Sequence, residues 1–168
     1  MKSPNQWLRL WVTFLVSATV SLTTWGWLTS TPVLANSQPE AIAQSINALR
    51  DTGKHWIEID LANQHLIAWE GKQETYTTII STGKPATPTY PGVFNIQSKH
   101  PTDRMRGADY DIPNVPYVMY YYRGYAIHGA NWHNSFGTPV SHGCINLPVD
   151  SAQWLFNWVT VGTPIVIH

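Results

Sequence analysis

The sequence predicts a mostly β domain, an antiparallel sandwich or barrel-like arrangement with one packed helix, and three observations predict it. Apolar and polar residues alternate with period two along several short stretches between residues 56 and 128. Gly, Pro, Asn and Asp punctuate those stretches at turn-length intervals. One helical stripe follows them, at Ala152, Leu155, Phe156 and Val159. Composition agrees: the 168 residues are 43% hydrophobic and 12% charged, which fits one packed globule and excludes an acidic or basic disordered chain. Ten basic residues balance ten acidic ones without a long basic run, so the electrostatic footprint of a nucleic-acid binder is missing.

At the N-terminus, Lys2 and Arg9 accompany an apolar-leaning run over residues 8–28, followed by Pro32-Val33-Leu34-Ala35. Small residues three and one positions before a cut suit a signal peptidase, so residues 1–35 read as a signal peptide cleaved after Ala35. The run is 21 residues long, enough to span a bilayer, so an uncleaved N-terminal anchor is the alternative. Six Ser or Thr and one Gly dilute its apolarity. Either way the remainder is exported to the periplasm or cell wall, with an uncleaved N-terminal segment as its only expected membrane contact.

Residues 36–54 read as a short helical linker. Ser37-Gln38-Pro39-Glu40 has the form of a capping box with proline in the first turn, and Ile42, Ile46 and Leu49 follow at helical spacing up to Gly53. The main domain occupies residues 55–168. Ile57, Ile59 and Leu61 alternate with Glu58 and Asp60, which predicts a half-buried strand. Strands are expected next at 65–69 and 76–81, with turns at Asn63-Gln64 and Glu70-Gly71. A loop rich in Pro, Gly and Thr runs over 82–92, and a short strand follows at 93–96. Residues 99–116, full of Pro, Asp and Gly, read as a long surface loop or flap in which Arg104, Arg106 and Tyr110 are candidate lid residues. Strands at 117–122 and 125–128 flank the Arg123-Gly124 turn as a hairpin. The helix then starts after Pro148 and stops before Gly162, and residues 165–167 close the domain as a strand.

Chemistry concentrates in one stretch. His128, His133, His142 and Cys144 fall within 17 residues, and Cys144 is the only cysteine, so no intrachain disulfide forms. A thiol outside the reducing cytosol oxidises unless it has a use, which points to an active sulfur. A free thiol is mostly protonated at neutral pH, and a neighbouring imidazole is expected to ionise it as a thiolate–imidazolium pair and later to protonate a leaving amine. His128 closes a predicted strand, so its ring is held, and with no acid nearby in sequence the Gly129 carbonyl is the expected support. Gly143 and Cys144 offer successive backbone N–H groups for an oxyanion.

Ser141-His142-Gly143-Cys144-Ile145-Asn146, preceded by Ile127-His128-Gly129, resembles the signature of the L,D-transpeptidase (YkuD-type) catalytic domain. Residues 56–60, Ser81-Thr82-Gly83, 89–94 and 112–120 are similar to that family as well, so the resemblance covers about residues 56–168. It implies that Cys144 is the nucleophile and His128 the base. Ser141, His142, Gly143 and Gly129 then shape the site, Asn146 steadies the loop or the donor peptide, and His133 lines the pocket or replaces His128. It also implies the reaction: acylation of Cys144 by a peptidoglycan tetrapeptide stem, release of D-alanine, and transfer to an amine acceptor as a 3→3 cross-link. No cofactor and no metal are called for. Three alternatives stay open: an L,D-carboxypeptidase that uses water, a His/Cys zinc site, and a wall-binding protein without transpeptidase activity.

Overall fold

A computed structural model describes residues 37–168; the signal-peptide or anchor segment lies outside the described residues. The element order is α1 (Gln38–Arg50), β1 (His55–Asp60), β2 (His65–Glu70), β3 (Gln73–Ile79), β4 (Gly92–Asn95), β5 (Ser98–Arg106), β6 (Asp111–Tyr122), β7 (Tyr125–Gly129), β8 (Ile145–Leu147), α2 (Val149–Trp158) and β9 (Pro164–Ile167). The strands form two sheets, ordered β3-β2-β1-β9-β4 and β5-β6-β7-β8. Pairing is antiparallel except for β1 with β9 and β7 with β8.

The alternation that marks these strands as β also builds the core between the layers. Ile57, Ile59, Leu66, Ile165 and Ile167 from the first sheet share one buried cluster with Met119, Ile127, Ile145 and Leu147 from the second. Ala152 and Leu155 of α2, with Val159 just after it, complete it. Tyr76 stacks on Trp154 at 4.2 Å and donates its hydroxyl to Ser151, so α2 is clamped to both sheets. β8 ends one residue beyond Asn146, directly before the Pro148 N-cap of this helix.

Three features depart from the expectations. β1 is buried on both faces rather than one, because α1 covers the side that carries Trp56 and Glu58. Ile42 of α1 packs there against Trp56 and Val166; burying a side chain of that size is worth roughly 2 kcal/mol. Glu58 stays hydrogen-bonded in this setting, accepting from Trp69 Nε1 at 2.8 Å and lying 2.9 Å from His168 Nε2. Second, residues 99–116 are not a loop but most of the β5–β6 hairpin, with a turn at residues 107–110. Prolines survive there because β5 is an edge strand and the first half of β6 pairs on one side only, β7 joining it from Met119 onward. Third, β8 is a strand the sequence does not announce. Its three residues are too few for a period, and pairing with β7 creates it.

Candidate active site

The parallel pairing of β7 and β8 sets His128 directly opposite Asn146, with Cys144 just before β8 begins. Two backbone bonds tie Ser81 to Asn146, at 2.9 and 2.8 Å, and two more join Ser141 to Thr82 and Lys84. The Thr89 hydroxyl adds a fifth link: it accepts from Gly83 N at 2.9 Å and donates to the Gly143 carbonyl at 2.8 Å. The loop 141–146 is therefore stitched along its length to residues 81–89. Gly143 is required twice over. Its φ is +112°, and a Cβ there would come within 2.3 Å of the Tyr125 ring.

Cys144, His128, His133, His142, Ser141 and Asn146 all line one cavity of about 150 Å³. Trp132, Val140 and the hairpin residues Met105, Tyr110 and Ile112 complete its wall. Of the lid candidates, Tyr110 lines this cavity. Arg104 and Arg106 instead pair with Asp111 on the hairpin itself. Trp132, 41% exposed and stacked 5.7 Å from His128, is a wall residue to which the sequence reading gave no role of its own. Its signal was available: a tryptophan four residues after His128, between a glycine-bounded strand end and His133.

His128 is 3% exposed and its Nδ1 lies 3.0 Å from the Gly129 carbonyl. A carbonyl only accepts, so Nδ1 carries the proton and Nε2 keeps its lone pair. Burial pushes the pKa of this ring down to about 4, against the opposing pull of the Gly129 carbonyl, with His133 lowering it further. Burial also pushes the Cys144 thiol up, opposed by the Ala126 backbone N–H. These directions run against the expected thiolate–imidazolium pair, because each group is desolvated and desolvation disfavours either charge. The sulfur still lines the cavity on a half-buried residue.

The oxyanion expectation also changes at one atom. The Gly143 N–H donates to Ser141 Oγ at 3.0 Å, and Ser141 Oγ in turn donates to the Cys144 carbonyl. Ser141 thus holds the turn from within, and the Cys144 N–H is the loop's remaining candidate donor. Asn146 is 3% exposed and meets His133 Nε2 at 2.9 Å. His133 Nδ1 accepts from Ser135 N, so a neutral ring carries its proton on Nε2. The Asn146 atom facing it must then be the carbonyl oxygen, an orientation that also gives the otherwise unpaired Oδ1 a partner. Among the described residues no group of three or more His, Cys, Asp and Glu is arranged to hold a metal ion.

The arrangement offers the parts that acyl transfer needs: a thiol and an imidazole with one free nitrogen lining one cavity, and one backbone N–H beside them. Comparison with known proteins agrees with this chemistry. The family model of the L,D-transpeptidase catalytic domain (YkuD) matches residues 54–167. L,D-transpeptidase 1 of Mycobacterium tuberculosis is 36% identical over 130 residues, which is 70% of this chain and 52% of that protein. The NMR structure of the catalytic domain of the Enterococcus faecium L,D-transpeptidase superposes with a TM-score of 0.63 at 34% identity, covering 70% of this chain and 98% of that one. The structure of LD transpeptidase LdtMt1 in complex with imipenem gives 0.64 at 32% identity, covering 68% of this chain and 58% of that one. The chain thus spans about half the length of the full-length relative it matches.

Proposed function

The chain belongs to the L,D-transpeptidase catalytic-domain family, and from that membership we propose that it is a peptidoglycan L,D-transpeptidase with Cys144 as nucleophile and His128 as base. The observation that carries this reading is the tied imidazole. Gly129 fixes the His128 tautomer, which leaves Nε2 as an acceptor in the cavity that Cys144 lines.

As the sulfur attacks the carbonyl of the third residue of a tetrapeptide stem, its proton passes to His128 Nε2. The carbonyl π electrons move to oxygen, and the Cys144 N–H receives that charge. Collapse breaks the peptide bond; the amine of D-alanine leaves with the proton from Nε2, and a thioester remains on Cys144. An acceptor amine then attacks the thioester and gives its proton to Nε2, from which it returns to the departing sulfur. The product is a 3→3 cross-link. Burial keeps the base unprotonated at physiological pH, while the lowered pKa makes it a weaker acceptor for the thiol proton. Water as acceptor would give a trimmed tripeptide instead. Cleavage after Ala35, or retention of residues 1–35 as an anchor, would place this chemistry at the wall outside the cytoplasm. No helix among the described residues is long and apolar enough to cross a membrane.

The test uses intact mass. Because a relative is known in complex with imipenem, a carbapenem is a fitting probe beside a tetrapeptide donor. Both are expected to add covalently to the wild type and not to Cys144→Ala. Tripeptide alone, with no dimer even at high acceptor concentration, would replace the transferase by the carboxypeptidase. Absence of any adduct would defeat both.

A further inference from the structure

At the rim of the cavity one nitrogen is asked to do two incompatible things. His142 Nε2 lies 3.2 Å from the Lys84 ammonium and 3.1 Å from Asp109 Oδ2. An ammonium only donates and a carboxylate only accepts. If Nε2 carries a proton, it serves Asp109 and turns a donor toward Lys84. If Nε2 is bare, it serves Lys84 and sets its lone pair against Asp109. Either way one of the two charged groups loses its bond. Lys84 is half-buried and comes from the segment that stitches the catalytic loop, where its backbone N–H bonds Ser141. Asp109 comes from the hairpin turn, and its neighbour Tyr110 both stacks on the His142 ring at 4.8 Å and lines the cavity.

A cation held by His142, a residue that lines the cavity two positions before the nucleophile in sequence, and with a replaceable partner, is suited to an anion carried by the substrate. The reading of this site as an L,D-transpeptidase, on which the inference rests, supplies one. The leaving residue has its free carboxylate only three bonds from the carbon under attack, about one residue's span. We propose that Lys84 binds this terminal carboxylate and thereby restricts the enzyme to the last residue of the donor stem. When the carboxylate takes the Lys84 ammonium, His142 is released to hold its proton on Nε2 and to donate it to Asp109. Donor binding then fastens the hairpin turn, and Tyr110 with it, over the occupied cavity. Lys84 is a specificity-determining residue, and His142 and Asp109 are positioning residues.

The experiment compares two donors on the full chain: a tetrapeptide stem with a free C-terminal carboxylate, and the same peptide as its C-terminal carboxamide. The reading is the rate of Cys144 acylation, as kcat/KM, for wild type, Lys84→Met and Lys84→Arg, with melting temperature as the check on folding. A charge-assisted contact predicts that wild type favours the free acid by about tenfold or more. Lys84→Met should lose that factor on the acid and leave the amide rate unchanged, and Lys84→Arg should recover most of the preference. If Lys84→Met keeps the wild-type preference, or slows both donors equally, the proposal is overturned. Wild type that is acylated equally by both donors removes the Lys84 role while keeping the transpeptidase. Wild type acylated by neither removes both.

Discussion

Two segments border the cavity, and they are built in opposite ways. The loop 141–146 is held by backbone bonds to Ser81, Thr82 and Lys84, by the Thr89 hydroxyl, and by a glycine pressed against the Tyr125 ring. The β5–β6 turn facing it is exposed, and ion pairs among Arg104, Arg106 and Asp111 brace its strands. Neutral, short-range, buried bonds fix atoms to a fraction of an ångström, whereas exposed ion pairs are weak and screened by salt. The site therefore combines a rigid wall that places the sulfur with a softer wall that can adapt to whatever enters. The proposed acyl transfer would use both, since an attacking geometry tolerates little error while a substrate has to get in and out.

If the contrast is right, the rigid side should fail abruptly and the soft side gradually. The largest effect is expected from His128→Asn, which removes the proposed base and should slow Cys144 acylation by about 10²- to 10⁴-fold. The same residue leaves a signature in stability. Its folded pKa, about 4, lies below the unfolded value of 6.5, so the unfolded chain binds the extra proton first. The wild type should be fully stable in this respect above about pH 6.5 and lose stability as pH falls toward 4, by roughly 3 kcal/mol at most. Denaturant titrations of His128→Asn across that window should show a flatter profile. In the wild type, acylation should persist at pH 5.5, where an ordinary histidine would already be mostly protonated.

Gly143→Ala comes next. The added methyl meets an aromatic carbon at 2.3 Å and forces a left-handed φ, so acylation should fall by about a hundredfold, with a melting temperature several degrees lower. Thr89→Val keeps the shape and deletes the hydroxyl that joins Gly83 to Gly143. A loss of about 1–3 kcal/mol in stability and about tenfold in acylation would fit, read by denaturant melts and by adduct formation. Smallest of all should be Arg104→Ala on the soft wall. Melting should hardly change, acylation at saturating donor should stay near wild type, and faster hydrogen exchange should appear in residues 104–111. A large drop in stability from Arg104→Ala, or an unaffected Thr89→Val, would reverse the assignment of rigid and soft.

The same division runs through what could be read in advance. The alternation at Ile57, Ile59 and Leu66, the capping box at Ser37, and the stripe at Ala152 and Leu155 are local patterns, and they stand in the structure as strands and helices where they were expected. The hairpin over residues 98–122 was hidden because prolines break a strand pattern everywhere except on unpaired edges, and edges are decided by the neighbours. β8 was hidden because three residues carry no period. The second buried face of β1 depended on α1 folding back upon it. Within the site, clustering of Cys144 with His128, His133 and His142 was visible, whereas the joining of Lys84 and Asp109 to His142 was not, since 58 and 33 residues separate them along the chain.

By itself the sequence determined the chemical inventory: one thiol, the imidazoles near it, the glycines that let the chain pass closely, and the period of most elements. These follow from residue type and local spacing, which need no knowledge of distant contacts. Only the tertiary structure decided how deeply His128 is buried, which of its ring nitrogens stays free, and that Ser141 holds the Gly143 N–H. Charge and hydrogen-bond state depend on what surrounds an atom, and that surrounding is assembled from parts of the chain that meet only when it folds.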